Sequence, residues 1–205
     1  MRLISKFVLL AALLCGTPLV AAQSARNTIY EVEVLVFQNF LEELEGGEFW
    51  GPDEPESEER LMELENAMVV GGAPGEASPL SLAAEKMGRE GGNYRVLAHK
   101  RWIQNADAKS NSQRIRISAG PIENTTLDGT VVFYVSRFLH VDVNLALATD
   151  NAGLIYPGAD TESVPAREVY RIKEHRRIKT VDINYFDHPK FGVLIQIKPV
   201  QVTRN

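Results

Sequence analysis

The chain has 205 residues, a formal net charge of −5 at pH 7 and one cysteine. The acidic balance argues against nucleic acid and anionic membrane surfaces as partners, because both demand a basic protein surface. A lone cysteine also excludes an internal disulfide, a CxxC redox site and a thiolate zinc cluster.

Residues 1–22 have the pattern of a secretory signal peptide. Arg2 and Lys6 precede a short apolar run, and small residues follow up to Ala22. The apolar run is shorter than the ~20 residues that a membrane-spanning helix needs. We therefore predict export to the periplasm with cleavage after Ala22, which removes two positive charges and the cysteine. Lipid attachment at Cys15 is the alternative.

The mature chain is long enough for one hydrophobic core, so we predict a single domain over residues 23–205. Residues 29–37 alternate between apolar and acidic side chains, which predicts a β-strand. Residues 41–78 are acidic and then rich in Gly and Pro, which predicts a long loop with a short helix at about 58–68. Trp50, in the middle of this loop, is a candidate contact for a protein partner.

A helix is predicted to begin at the Ser78–Pro79 pair and to end at Gly91–Gly92. The remaining strand-like segments are 94–104, 114–118, 127–149, 168–179 and 191–200, with the fourth predicted to run antiparallel beside the third. The predicted class is α+β, a mostly antiparallel sheet with a few helices packed on one side, and a ferredoxin-like arrangement fits this order.

The stretch NYFDHPKFGV, residues 184–193, has two interpretations. An Asp-His pair can bind a metal, and His140 and Asp142 share one strand face where they can add ligands. However, the sequence contains neither an HExxH nor an HxH motif. We favour a structural turn, because Asp accepts backbone hydrogen bonds, Pro fixes a dihedral angle and Gly permits a tight entry into the next strand. The predicted turn residues are Asp187, His188, Pro189 and Gly192, and we predict no metal and no cofactor.

Catalytic motifs are missing from the sequence. There is no GxSxG or SxxK motif, and no cysteine nucleophile remains after the predicted cleavage. Two carboxylates facing a groove would support glycoside cleavage, but no such pair stands out from the acidic loop. The sequence therefore predicts a protein that is not an enzyme.

Two strand segments carry side chains suited to ligand binding. In the first, Trp102 can stack on a sugar ring beside Arg101 and Gln104, although core packing of the indole is an equal alternative. In the second, basic side chains alternate along residues 168–179 and can receive carboxylates, although they would also protect an edge strand from aggregation. The alternating residues are Arg171, Lys173, His175 and Arg177; the candidate ligand residues here are Arg171, Arg176 and Arg177.

Four blocks in the same order resemble the CsiV family of periplasmic peptidoglycan-binding proteins. The blocks are YEVEVLVFQN from residue 30, GGNYRVLAHKRWIQ from 91, LDGTVVFYVSRFLHVDVNLAL from 127 and RRIKTVDINYFDHPKFGVLIQIKP from 176. The resemblance implies a non-catalytic factor that binds peptidoglycan, supports cell-wall synthesis proteins and helps to maintain cell shape. An adaptor for a cell-wall synthase or its activator is the second hypothesis. A hydrolase that uses Asp187, His188 or His140 is the third.

Overall fold

The computed structural model describes residues 28–40, 62, 64–70, 77–89, 92–105, 107–150 and 167–200. Within these ranges the chain forms the 11-residue α-helix α1 (Pro79–Arg89) and a 3-10 turn at Lys109–Asn111, and residues 62, 64 and 65 are also helical. It also forms ten strands: β1 (Ile29–Asn39), β2 (Met68–Val69), β3 (Tyr94–Asn105), β4 (Arg114–Arg116), β5 (Ala119–Ile122), β6 (Thr125–Val135), β7 (Leu139–Asp150), β8 (Arg167–Ile178), β9 (Ile183–His188) and β10 (Phe191–Pro199).

The strands form two sheets. The four-stranded sheet has the order β3-β1-β10-β9, and all of its pairs are antiparallel. The six-stranded sheet has the order β2-β4-β6-β7-β8, with β5 paired to β6 and only the short β2–β4 pair parallel. Alternation along each strand gives both sheets an apolar face, and these faces pack together.

The hydrophobic core lies between the two sheets. Val32, Val34 and Val36 of β1 are fully buried, and they belong to the same cluster as Phe133 of β6. Tyr30 meets the Phe133 ring edge-to-face, with 5.2 Å between ring centroids. Because the inner faces of the two sheets form the core, the outer face of each sheet is available to polar side chains, a helix or a ligand.

Helix α1 covers part of the outer face of the four-stranded sheet. It begins where the sequence predicts, because the Ser78 hydroxyl accepts a hydrogen bond from the Ser81 N–H at 2.9 Å and caps the first turn. Leu80 is completely buried beneath the helix. The Ser78 hydroxyl also donates to the Glu33 carboxylate on β1, so the helix start is tied to the sheet.

The predicted fold needs two corrections. The α+β description holds only broadly, since the described residues are mostly strand with little helix besides α1. The packing of two sheets is also not a ferredoxin-like arrangement. Residues 127–149 are not one long segment but the hairpin β6–β7, which turns at residues 136–138. By contrast, the predicted antiparallel pairing of residues 168–179 with the preceding segment is confirmed by β7 and β8.

Several predictions fall on parts of the chain that the structure does not describe. These are the signal peptide at residues 1–22 and most of the loop at 41–78, including Trp50. Met62, Leu64 and Glu65 are helical and lie within the helix predicted at about 58–68. Across the described ranges, no helix is both long and apolar enough to span a membrane.

Candidate functional site

A row of basic side chains lies on the outer face of the six-stranded sheet. Strand register places Arg171, Lys173, His175 and Arg177 on the same face, opposite Ala146, Asn144, Asp142 and His140 of β7. The shared face predicted from their alternation is therefore confirmed. We call the surface formed by these eight residues, with Tyr134 and the Arg137–Phe138 turn, the basic face.

An arginine–aromatic cluster forms one end of the basic face. The guanidinium carbon of Arg177 lies 3.4 Å from the centroid of the Phe138 ring, and that of Arg137 lies 5.5 Å from the same centroid. Both distances fall within the ~6 Å range of cation–π attraction. Phe138 is 39% exposed, so the cluster is accessible from solvent.

Three stacked rings continue the basic face next to this cluster. The ring of His140 lies 5.3 Å from that of Tyr134 and 5.0 Å from that of His175, and both pairs are nearly parallel. The Asp142 carboxylate accepts hydrogen bonds from His175 Nδ1 and from Lys109 Nζ, the latter at 2.7 Å. These contacts fix the positions of the rings. They also neutralise Asp142, which is the only carboxylate among the eight residues that β7 and β8 contribute to the basic face.

The pKa values of His140 and Asp142 follow from the packing of the stacked rings and from the hydrogen bonds around them. Burial, together with the charge of the neighbouring His175, lowers the pKa of His140 below the usual histidine value of 6.5, so its ring is mostly neutral at pH 7. Burial alone would raise the pKa of Asp142. The hydrogen bonds from His175 and Lys109 outweigh burial, hold that pKa below its usual value and keep the carboxylate ionised.

The charge of the basic face is only partly compensated. Within the described part of the chain, Arg137, Lys173 and Arg177 make no ion pair with a carboxylate, and all three are exposed. A guanidinium can hold a carboxylate through two parallel hydrogen bonds. The Phe138 ring adds an apolar surface beside the guanidinium groups of Arg137 and Arg177, so this end of the face can bind a ligand that carries both carboxylate and apolar groups.

The other predicted ligand-binding segment lies elsewhere in the fold. Trp102 is 8% exposed on the core side of β3, and its indole N–H donates to the Gln104 side-chain oxygen at 2.6 Å. Gln104 in turn donates to the Phe133 carbonyl. Arg101 points to the opposite face of the strand, where it lies 3.4 Å from Glu33. This placement favours the core-packing alternative for Trp102, and its role in ligand binding stays a prediction.

Arg176 and Arg177 are adjacent on β8, so their side chains point to opposite faces of the six-stranded sheet. Arg176 pairs with the buried Val141, so its side chain points away from the basic face. Its guanidinium donates to the Tyr185 carbonyl on the edge strand β9 and lies 4.3 Å from the centroid of the Phe186 ring. Arg176 thereby joins one edge of the six-stranded sheet to one edge of the four-stranded sheet.

Residues 184–193 form most of the β9–β10 hairpin. Pro189 and Lys190 make the turn, and the His188 ring, 8% exposed, accepts the Lys190 N–H through Nδ1 at 3.1 Å. Asp187 accepts the hydroxyl hydrogen of Tyr185, a partner on its own strand. Over the described ranges, no group of three or more His, Cys, Asp or Glu side chains is placed to hold a metal ion.

Sequence reasoning missed Arg137, Phe138 and Lys109, which lie outside β8. Arg137 and Phe138 were included in a long strand segment, because Ser136-Arg137-Phe138 contains no Gly or Pro to indicate a turn. Lys109 lies in a 3-10 turn far from β8 in sequence. A break in the alternation after Val135 was the one signal that could have indicated the turn.

A sequence model of the family described as peptidoglycan-binding protein CsiV matches residues 6–200. No curated protein and no solved structure matches the chain. Because the family match spans nearly the whole sequence, the chain belongs to the CsiV family of peptidoglycan-binding proteins.

Proposed function

We propose that this member of the CsiV family is a non-catalytic periplasmic protein that binds peptidoglycan through its basic face and supports cell-wall synthesis and cell shape. The observation that carries the proposal is the pair of guanidinium groups at Phe138, those of Arg137 and Arg177, which make no ion pair with a carboxylate in the described part of the chain. Lys173 adds a further exposed positive charge along the same face. The stem peptides of peptidoglycan carry free carboxylates, which are the natural partners of such groups.

The charge of the whole protein supports this choice of surface. The chain has 27 acidic and 22 basic residues, so most orientations of the molecule would be repelled by an anionic polymer. A local positive patch overcomes this repulsion and orients the protein as it approaches. The basic face is such a patch, since its one β7–β8 carboxylate is already paired with Lys109 and His175.

The contacts of the candidate acid–base residues support a non-catalytic role. His188 is 8% exposed, and its Nδ1 accepts a backbone N–H inside the hairpin. His140 is neutral and stacked between two rings, and the Asp142 carboxylate accepts hydrogen bonds from Lys109 and His175. A general base needs an open lone pair within reach of a substrate proton. The contacts of His188 Nδ1 and Asp142 engage these acceptor atoms, and the Nδ1 atom of His140 is buried.

The proposal is tested by sedimenting the purified protein with isolated sacculi and analysing the supernatant for released muropeptides. We expect the protein to sediment with the sacculi and to release no fragments. Binding should weaken when NaCl is raised from about 0.05 M to about 0.5 M, because the screening length falls to a few ångströms. Absence of sedimentation at low salt would contradict peptidoglycan binding, and protein-dependent release of muropeptides would contradict the non-catalytic role.

A further inference from the structure

A groove lies on the opposite side of the molecule from the basic face, between helix α1 and the outer face of the four-stranded sheet. Its volume is about 520 Å³, within the range of known small-ligand sites. Phe37, Tyr94 and Tyr185 contribute aromatic rings from three different strands, and Met87 closes the groove from the helix. None of these residues belongs to the basic face.

The aromatic wall is built around a glycine. The rings of Phe37 and Tyr185 lie nearly parallel with centroids 6.2 Å apart, and Tyr94 packs edge-on against Phe37 at 5.6 Å. A Cβ atom on Gly192 would lie 2.5 Å from Phe37 and 2.8 Å from Tyr185. Gly192 therefore lets the two rings approach each other above the β10 backbone, and Tyr185 remains 45% exposed.

Polar groups accompany the aromatic wall. The Tyr185 hydroxyl donates to Asp187, and burial together with this hydrogen bond raises the pKa of Tyr185, so the phenol stays neutral. Asn39 and Lys86 also line the groove. Asp187 lies outside the lining but accepts the Tyr185 hydroxyl hydrogen, so a carboxylate as well as the Lys86 ammonium group lies near the aromatic wall. A neutral ligand with apolar faces and polar edges matches this combination.

We propose that the groove binds N-acetylated sugar rings of the glycan strand, with the exposed Tyr185 ring as the stacking surface. This inference rests on the proposed function, because it assigns the glycan part of peptidoglycan to a second site. An N-acetylated sugar presents C–H groups on its ring face and hydroxyl and acetamide groups at its edge, which fit an aromatic ring, an amide and an ammonium group. The two sites lie on opposite faces of the sandwich, so simultaneous use of both would increase avidity.

The inference is tested with N,N′,N″-triacetylchitotriose, a soluble oligomer of N-acetylglucosamine without a peptide. We expect saturable binding to the full protein in a calorimetric titration. Tyr185→Ala should weaken that binding about fivefold or more, because one aromatic contact is removed. Ala83→Trp, which fills the groove from the helix without removing a wall residue, should also weaken it. Leu82→Ala is the matched control on α1, since Leu82 is 60% exposed and does not line the groove.

The possible outcomes separate this inference from the proposed function. Binding of the protein to sacculi without binding of chitotriose would overturn the glycan site and leave peptidoglycan binding intact. Chitotriose binding that survives both groove substitutions would also overturn it, because the sugar would then bind elsewhere. Failure of the unsubstituted protein to bind either sacculi or chitotriose would remove both proposals. The Ala83→Trp variant keeps the test decisive if Tyr185→Ala does not fold.

Discussion

Replacing Glu33 tests how helix α1 is held against the sheet. This carboxylate is 2% exposed and lies on the outer face of β1. It accepts hydrogen bonds from the Ser78 hydroxyl at 2.5 Å and from His99 Nε2 at 2.8 Å, and Arg101 approaches to 3.4 Å. Burial alone would raise the pKa of Glu33, but Ser78, His99 and Arg101 together lower it below its ordinary value of 4.5.

The expected cost of Glu33→Ala follows from these contacts. Breaking a fully buried ion pair costs about 3–5 kcal/mol, because the remaining charge loses its partner. The side chains of His99 and Arg101 are 14% and 15% exposed, so water can partly replace the carboxylate. We therefore expect a loss near the lower limit, about 3 kcal/mol, and a smaller loss of about 1–2 kcal/mol for Glu33→Gln, which keeps an acceptor oxygen.

Urea denaturation at pH 7 measures this loss. With a typical slope of 1–3 kcal/mol per molar urea, about 3 kcal/mol shifts the midpoint by roughly 1–3 M. Glu31→Ala is the matched control, since Glu31 lies on the same strand face but is 27% exposed and 4.0 Å from Arg101. A loss below about 0.5 kcal/mol for Glu33→Ala, or an equal loss for both variants, would refute the reasoning.

The pH dependence of stability gives a second measurement on the same variants. A carboxylate with a lowered pKa stabilises the folded state above the unfolded-state pKa, and this stabilisation is lost as pH falls through the folded-state value. The stability difference between the unsubstituted protein and Glu33→Gln should therefore be largest at neutral pH and should shrink below about pH 4.5. A difference that stays constant down to pH 3 would show that the charge of Glu33 contributes nothing.

Three further predictions concern the framework of the two sheets. Trp102→Phe should lower the free energy of unfolding, measured by urea denaturation, by about 1–3 kcal/mol, because the buried Gln104 side-chain oxygen loses its donor. The folded variant should still sediment with sacculi. Gly129→Ala should lower the free energy of unfolding by at least about 1–3 kcal/mol, because the added Cβ would lie 2.2 Å from the Asn144 carbonyl oxygen. Gly88→Ala, with open space around its Cβ, should instead raise the free energy of unfolding by about 0.5–1 kcal/mol. A stabilising Gly129→Ala or a neutral Trp102→Phe would contradict these packing accounts.

Local elements of the fold were predictable because alternation and capping are local signals. The strand at residues 29–37, the helix start at Ser78 and the strand at 191–200 all appear in the structure within two residues of the expected positions at these ends. The division into two sheets was not predictable. Alternation shows which residues share a face but not which strand lies alongside, so it cannot distinguish one large sheet from two packed sheets.

The candidate site was predictable only along a single strand. The row from Arg171 to Arg177 could be derived from its spacing, because residues two apart on a strand share a face. Arg137 and Phe138 join that row only because β6 and β7 form a hairpin whose turn lies beside the end of β8. The position of Trp102 in the core likewise depends on which face of β3 meets the second sheet, and neither face of that strand is clearly apolar in the sequence.

The most direct test of the account compares two double variants in sacculus sedimentation at low salt. Arg137→Ala/Arg177→Ala removes two positive charges that pair with no carboxylate in the described part of the chain. Arg89→Ala/Lys198→Ala removes the same number of positive charges from α1 and β10, where Arg89 is paired with Glu85 on the helix surface. We expect about tenfold weaker binding for the first variant, because roughly 1.4 kcal/mol of charge-assisted contacts is lost, and little change for the second. Equal binding by two folded double variants would contradict the assignment of peptidoglycan binding to the basic face.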